Sequence, residues 1–258
     1  MNKVKISIIT VAYNAAKLIE KTIKSVINQT YNNIEYIIID GGSTDGTIDI
    51  IKKYDKYLAY WISEPDKGIY DAMNKAIKKA NGDWINFMNC GDTFVDENVI
   101  SEIFQTPIEN NINVVYGDTL LRHQNRLFVR KTKAMHGEFP NLCHQSTFSR
   151  TSTMKKNLFN LKYKIAADID FFYKIYDNIS FQYRPLLIAE YDISDGLSAN
   201  NPFLLRKEYA EIFNLTFNWQ NKIKGHIFSL VKNLIPQKLY QILYITYLKN
   251  KSYITEYK

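Results

Sequence analysis

The chain has 258 residues, 46% of them hydrophobic and 23% charged, with a formal net charge of +7 and two cysteines. That length and apolar content suit one large α/β domain that buries a real core, or one domain with an appendage. Cys90 and Cys143 exclude a disulfide framework and show no zinc-ligand spacing, which fits a reducing compartment.

The apolar start, Val4 to Ala12, ends at Tyr13-Asn14. It is too short for a signal peptide or a spanning helix, and no other window reaches about eighteen uninterrupted apolar residues. A cytoplasmic protein is expected. The first hundred residues then alternate two periodicities. Residues 5–12 (KISIITVA) read as a buried strand. Residues 15–29 carry Leu18, Ile19, Thr22, Ile23, Val26 and Ile27 at helical spacing. A second strand over 34–40 (IEYIIID) is ended by Gly41-Gly42, and Ser43-Thr44-Asp45 offers caps for a helix to about Tyr54. A third strand is expected over 58–63, a helix over 69–80 stopped by Asn81-Gly82, a fourth strand over 84–89, and a helix over 97–105 closed by Pro107.

This order implies a mostly parallel sheet flanked by helices. Ligands of such sheets sit beyond the carboxyl ends of the strands. Those ends read Tyr13-Asn14, Asp40-Gly41-Gly42-Ser43, Glu64-Pro65-Asp66-Lys67-Gly68 and Asn89-Cys90-Gly91-Asp92. All are polar and three contain carboxylates. One Gly-Asp pair is ordinary turn chemistry, but three acidic turns on one edge point to a site. The glycine-rich stretch after the second strand is neither a Walker loop nor GxGxxG.

After Pro107 the pattern changes. Strands are expected at 114–118, 127–131 and 186–191, with a helix near 166–176, and helix again from Phe203. Residues 1–200 form one expected domain in two halves, 1–107 and 108–200, followed by a helical basic region over 201–258. The last forty residues hold seven lysines and one glutamate, so they carry nearly all the net charge. A basic surface favours anionic partners such as lipid headgroups or nucleic acid. Residues 239–248 are apolar and tyrosine-rich between lysines 238, 249 and 251. They are too short to span a bilayer, yet suited to lie in its interface or to pack on a protein surface. The body lacks the basic stripe with interleaved aromatics that nucleic-acid binding requires, so no nucleic-acid partner is expected.

Three stretches taken together carry a family resemblance. Ser7-Ile8-Ile9-Thr10-Val11-Ala12-Tyr13-Asn14, Asp40-Gly41-Gly42-Ser43-Thr44-Asp45-Gly46-Thr47 and Asn89-Cys90-Gly91-Asp92 resemble the family 2 glycosyltransferases in order and spacing. The resemblance covers about residues 5–120 and continues more weakly to about 195. Residues 63–74 (SEPDKGIYDAMN) look like a subgroup from capsule, exopolysaccharide and lipopolysaccharide clusters. The resemblance implies a GT-A fold, a nucleotide-binding half followed by an acceptor half. It implies an inverting enzyme that moves a sugar from a nucleotide sugar, most often a UDP-sugar, to a hydroxyl of a glycan or lipid-linked acceptor. That enzyme would sit in the cytoplasm or on the inner face of the membrane.

Residue by residue, the resemblance puts Thr10, Ala12, Tyr13 and Asn14 against the nucleotide. Asp40, with Gly41 and Ser43, would meet the base, and Asp66, Lys67, Asn74, Asn89, Cys90 and Gly91 would line the donor. Asp92 stands where the family places a metal-ligating aspartate for Mn or Mg, which takes oxygen ligands. The chain departs from the family in having Asn89 and Gly91 where further aspartates are usual, and Met73 where many relatives carry arginine. In Ile165-Ala166-Ala167-Asp168-Ile169-Asp170, Asp168 matches the catalytic base, with Asp170 as second choice. His144, in Cys143-His144-Gln145, would donate to a phosphate oxygen. Two other readings remain open at this point: a transferase-like partner subunit without activity, and a nucleotidyltransferase. The sequence Ala12-Tyr13-Asn14-Ala15-Ala16 after the first strand argues against the latter.

Overall fold

The computed structural model describes residues 4–132, 139–140, 142–193, 196–215, 246 and 254–257. The first half alternates as the sequence implies: β1 (Ile6–Ala12), α1 (Ile19–Ile27), β2 (Ile34–Asp40), α2 (Thr47–Lys53), β3 (Tyr60–Ser63), α3 (Ile69–Lys79) and β4 (Trp84–Phe87). Then come β5 (Thr93–Phe94), α4 (Val99–Ile103), β6 (Val114–His123), β7 (Arg126–Arg130), β8 (Thr147–Arg150) and α5 (Thr151–Lys156). The chain continues through α6 (Ala167–Ile175), β9 (Phe181–Asp192), α7 (Leu197–Asn200), α8 (Pro202–Ile212) and β10 (Ile254–Glu256).

The strands form one sheet in the order β10-β7-β6-β8-β4-β1-β2-β3, with β9 beside β6 and β5 beside β9. The pairs β1–β2, β1–β4 and β2–β3 are parallel, so their carboxyl ends share one edge. The second half is mixed, because β8 runs antiparallel to both β4 and β6. Alternation along each strand splits the core into two layers. Ile9, Val11, Ile37 and Ile39 face one layer with Met73 and Ile77 of α3 and Phe171 of α6. Ile6, Ile8, Tyr36 and Ile38 face the other with Ile19 and Ile23 of α1, Ile51 of α2 and Ile100 of α4. Helices thus cover both faces of the sheet.

Three differences from the sequence reading have local causes. α1 begins at Ile19 rather than Ala15, since Leu18 and Ile19 both donate to the Ala15 carbonyl in a tight turn. β6 and β9 run far beyond their expected lengths because they pair with each other and β6 also pairs with β7. In the final region, Ile254–Glu256 is a strand antiparallel to β7, not a helix. The apolar stretch 239–248, except Thr246, and the basic residues 222, 224, 232, 238, 249, 251 and 258 lie outside the described residues. Among the described residues no helix is long and apolar enough to cross a membrane.

Candidate active site

The loops after β1 and β2 are joined by their own polar side chains. Asn14 N–H donates to Ser43 Oγ (2.7 Å), Ala15 N–H to Thr47 Oγ1 (2.8 Å) and Ala16 N–H to Asp45 Oδ2 (3.0 Å). Thr44 N–H donates back to Asn14 Oδ1 at 3.0 Å. Asn14 reaches this position with φ 47°, a conformation asparagine tolerates. The N-cap of α2 is Gly46, without a side-chain cap, and the residues read as caps brace the neighbouring loop instead. Asp40 is the anchor beneath them. It has no exposed surface, and its carboxylate accepts from Gly42 N–H (3.0 Å), Ser43 N–H (2.8 Å), Ser63 Oγ (2.6 Å) and Ser43 Oγ.

Above that anchor lies an open surface. Tyr13 is 66% exposed. Gly41 sits between its ring and Asp66: a Cβ built on Gly41 would stand 2.5 Å from Asp66 Oδ2 and 3.4 Å from Tyr13 Cδ2. Any larger residue there would push the Asp66 carboxylate aside. Asp66 also accepts from Gly68 N–H at 2.8 Å, and the Lys67 side chain is exposed beside it.

Beyond β4 the chain turns at Asn89–Asp92, with Asp92 N–H donating to the Asn89 carbonyl at 2.9 Å. Gly91 has φ 96°, and its missing side chain would face Leu18. Backbone conformation requires the glycine here, rather than approach of a ligand. Thr22 of α1 locks the turn, accepting from Gly91 N–H (2.9 Å) and donating to the Asp92 carbonyl (2.8 Å). Asp92 Oδ2 accepts from Gln145 Nε2 at 2.8 Å. Burial pushes the Asp92 carboxyl up to about 6, against the Gln145 hydrogen bond and the charges of His144 and Lys21, which lower it. Cys90 is half-buried against the core on the α1 side.

The residues after β7 return to this edge as a 3₁₀ turn, His144–Ser146, joined to β4 by Asn86. Asn86 Nδ2 donates to the Gln145 and Thr147 carbonyls at 2.9 and 3.0 Å. Cys143 Sγ donates to Gln145 Oε1 at 2.7 Å, which turns the amide nitrogen toward Asp92. His144 takes the opposite course. Its Nδ1 is 3.0 Å from Asp168 Oδ2, and its Nε2 accepts from Asn89 Nδ2 at 3.0 Å. Both ring nitrogens are engaged by protein, so the expected donation from His144 to a phosphate is not available in this arrangement.

Asp168 is the second residue of α6, and its side chain is 14% exposed. The Tyr70 hydroxyl lies 2.9 Å from Asp168 Oδ1 and 2.7 Å from the Ile165 carbonyl. Burial alone would raise the Asp168 carboxyl, but the His144 hydrogen bond and charge, the Tyr70 hydroxyl and the Ile169 N–H outweigh it. The group is held below the usual carboxylate range. Asp168 is thus ionised near neutrality, with a histidine on one oxygen and a tyrosine on the other.

Some expected residues stand elsewhere. Asp170 lies about 200° around α6 from Asp168 and pairs with Lys174 at 2.7 Å, so it does not share the cluster. Asn74 is spent on packing, donating to the Phe159 carbonyl and accepting from Phe159 N–H, both at 2.9 Å. Thr10 is fully buried, 2.7 Å from the Met88 carbonyl and 2.9 Å from the Tyr36 hydroxyl. Ala12 is likewise buried, contributing backbone rather than side chain. The interior of the sheet claims these positions, and the ligand-facing edge begins at Tyr13. The sequence reading assigns no site role to Gln145, Tyr70 or Thr22. Gln145 stands in the quoted Cys-His-Gln stretch and Tyr70 in residues 63–74, whereas Thr22 reads as one position of the α1 periodicity; helix packing brings Tyr70 and Thr22 to the site.

The sequence profile of glycosyl transferase family 2 matches residues 7–181, from within β1 to the start of β9. The chain belongs to glycosyl transferase family 2. It is 29% identical over 209 residues to a PGL/p-HBAD biosynthesis glycosyltransferase of Mycobacterium bovis, covering 74% of this chain and 78% of that one. An uncharacterized glycosyltransferase of Mycobacterium tuberculosis is 33% identical over 177 residues, 64% of this chain and 66% of that one. Among solved structures, S. aureus TarS 1–349 in complex with UDP-GlcNAc superposes with TM-score 0.60 and 20% identity, over 86% of this chain and 70% of that one. The chain spans 42% of a longer TarS structure. Mannosyltransferase PcManGT from Pyrobaculum calidifontis, in complex with GDP-Man and Mn2+, gives TM-score 0.67 at 14% identity, over 83% and 64%. The family 2 transferase therefore has the GT-A fold, and the enzyme is a glycosyltransferase.

The Asn89–Asp92 turn fits a hard cation held jointly with a ligand. Asp92 is a half-buried carboxylate whose charge is under-compensated, and Asn89 Oδ1 is buried with no hydrogen-bond partner among the described residues. Both are oxygen donors of the kind Mg or Mn takes. Among the described residues no group of three or more His, Cys, Asp and Glu is placed to hold an ion. The remaining ligands would come from a diphosphate and water.

Proposed function

We propose that this transferase moves a sugar, with inversion, from a UDP-sugar to a hydroxyl of a surface-glycan or lipid-linked acceptor. The observation that carries the reading is the cluster around residues 143–145. Gln145 holds Asp92 and the adjacent His144 holds Asp168, so one short turn ties together the two carboxylates that the reaction needs. Tyr13, Gly41 and Asp66 supply an aromatic surface with a polar rim for the nucleoside. Asp40 supports that surface from below, its oxygens already taken by Gly42, Ser43 and Ser63.

In this reading Asp92 and Asn89 would hold Mn or Mg beside the donor, and the ion would supply Lewis-acid charge that offsets the negative charge of the nucleoside diphosphate. The acceptor hydroxyl attacks the anomeric carbon. Its proton passes to Asp168, and the bonding pair of the broken C–O bond leaves with the nucleoside diphosphate. His144 and Tyr70 keep the Asp168 carboxylate ionised and fixed in orientation. A UDP donor agrees with TarS, which was solved with UDP-GlcNAc.

Asp168→Asn tests the assignment. Turnover should fall by at least about a thousandfold while UDP affinity stays within about twofold. Near-normal turnover would remove Asp168 as the base. The basic final region suits a membrane-bound acceptor. Cosedimentation of the full chain with anionic vesicles should be strong at low salt and lost at high salt; no binding at low salt would remove that part of the proposal.

A further inference from the structure

Glu208 lies on α8, beyond the 7–181 stretch that matches the family. It is only 5% exposed, an unusual place for a carboxylate on a peripheral helix. Its oxygens accept three consecutive backbone N–H groups: Lys164 on Oε1 at 2.8 Å, and Ile165 and Ala166 on Oε2 at 3.0 and 2.9 Å. Ala166 is the N-cap of α6 and offers no side-chain cap, and Glu208 holds, from another element, the N–H of this cap residue and of the two residues that lead into it. A negative group at a helix N-terminus is also favoured by the helix dipole.

The segment held this way is the one that aims Asp168. Asp168 follows the cap by two residues. The Ile165 carbonyl, in the middle of the clamped segment, meets the Tyr70 hydroxyl that also reaches Asp168. We propose that Glu208 is a positioning residue for Asp168, so that α8 completes the active site from outside the shared family domain. The inference rests on Asp168 being the catalytic base. Glu208 touches no reacting atom and acts through the 164–166 backbone. A carboxylate suits the task because it is acceptor-only, whereas an amide in its place turns N–H against N–H.

The test compares wild type, Glu208→Gln, Glu208→Asp and Asp168→Asn in the full chain. Turnover is read with whichever of UDP-glucose, UDP-galactose and UDP-GlcNAc the wild type consumes fastest, and UDP affinity by calorimetry. Glu208→Gln should lose at least about thirtyfold in kcat with UDP affinity within about twofold of wild type. Glu208→Asp, which keeps the charge on a shorter stem, should lose about three- to tenfold. A kcat within twofold of wild type in Glu208→Gln, or a loss matched by equal loss of UDP affinity, overturns the proposal. Should Glu208→Gln not fold, Glu208→Asp decides: wild-type kcat overturns the proposal, and reduced kcat with intact UDP affinity upholds it. An active Asp168→Asn would instead overturn the base assignment. An inactive Asp168→Asn beside a normal Glu208→Gln removes only the role of Glu208.

Discussion

Replacing Asp92 by asparagine should make the ligand-free protein more stable at neutral pH while disabling it. Burial raises the Asp92 carboxyl from 3.8 to about 6, so ionising it in the folded state is harder than in the unfolded chain. The sign follows from linkage: the folded state binds this proton more tightly, and its stabilising contribution is complete below about pH 3.8 and lost as pH rises through about 6. A shift of roughly two units corresponds to about 3 kcal/mol as an upper limit. Asp92 is half-buried, and relaxation brings the expected effect nearer to about 1–2 kcal/mol. Asparagine has no charge to bury, and its Oδ1 can still accept from Gln145 Nε2. In a domain of this size that difference raises Tm by roughly 2–8 °C. Thermal unfolding of both proteins in EDTA, from pH 5 to pH 8, is the assay. The gap should widen as pH rises and level off above about pH 7. A gap independent of pH, or a less stable variant at pH 8, would refute the claim that Asp92 is an under-compensated charge kept for function at a cost in stability.

Two more outcomes follow from the same geometry. Tyr70→Phe removes a hydrogen bond that lowers the Asp168 carboxyl. The acid limb of the activity profile should therefore move to higher pH; an unmoved limb would detach Tyr70 from the base. Asn74→Ala strips partners from both the N–H and the carbonyl of Phe159, so the fold should lose about 2–4 kcal/mol in denaturant titration. Its donor KM should stay unchanged, and a raised KM would return Asn74 to the donor site.

The first half of the fold was legible because each element punctuates itself. β2 ends where Asp40-Gly41 breaks the apolar run, and α3 spans its periodic stretch almost to the residue. The antiparallel strands were harder to read. β8 passes into α5 with no turn residue between Arg150 and Thr151, and β5 is two residues long. Within the site, motif residues were visible but their duties were not. Asp40 and Asp92 are both acids at strand ends. Only the three-dimensional arrangement shows that the first is saturated by Gly42, Ser43 and Ser63 while the second accepts, among the described residues, from the Gln145 amide alone. Sequence separation hid the rest. Tyr70 and Asp168 are 98 residues apart, and Glu208 holds the backbone leading into a helix that begins about forty residues earlier.

The most direct measurement of the central claim is calorimetric titration of the protein with UDP, GDP, dTDP and CDP, each with Mn and with EDTA, repeated on Asp92→Ala. The account predicts that UDP binds tightest in Mn, that EDTA weakens it sharply, and that Asp92→Ala removes the difference between Mn and EDTA. Binding of no nucleoside diphosphate, or UDP binding indifferent to both EDTA and the loss of Asp92, would contradict it.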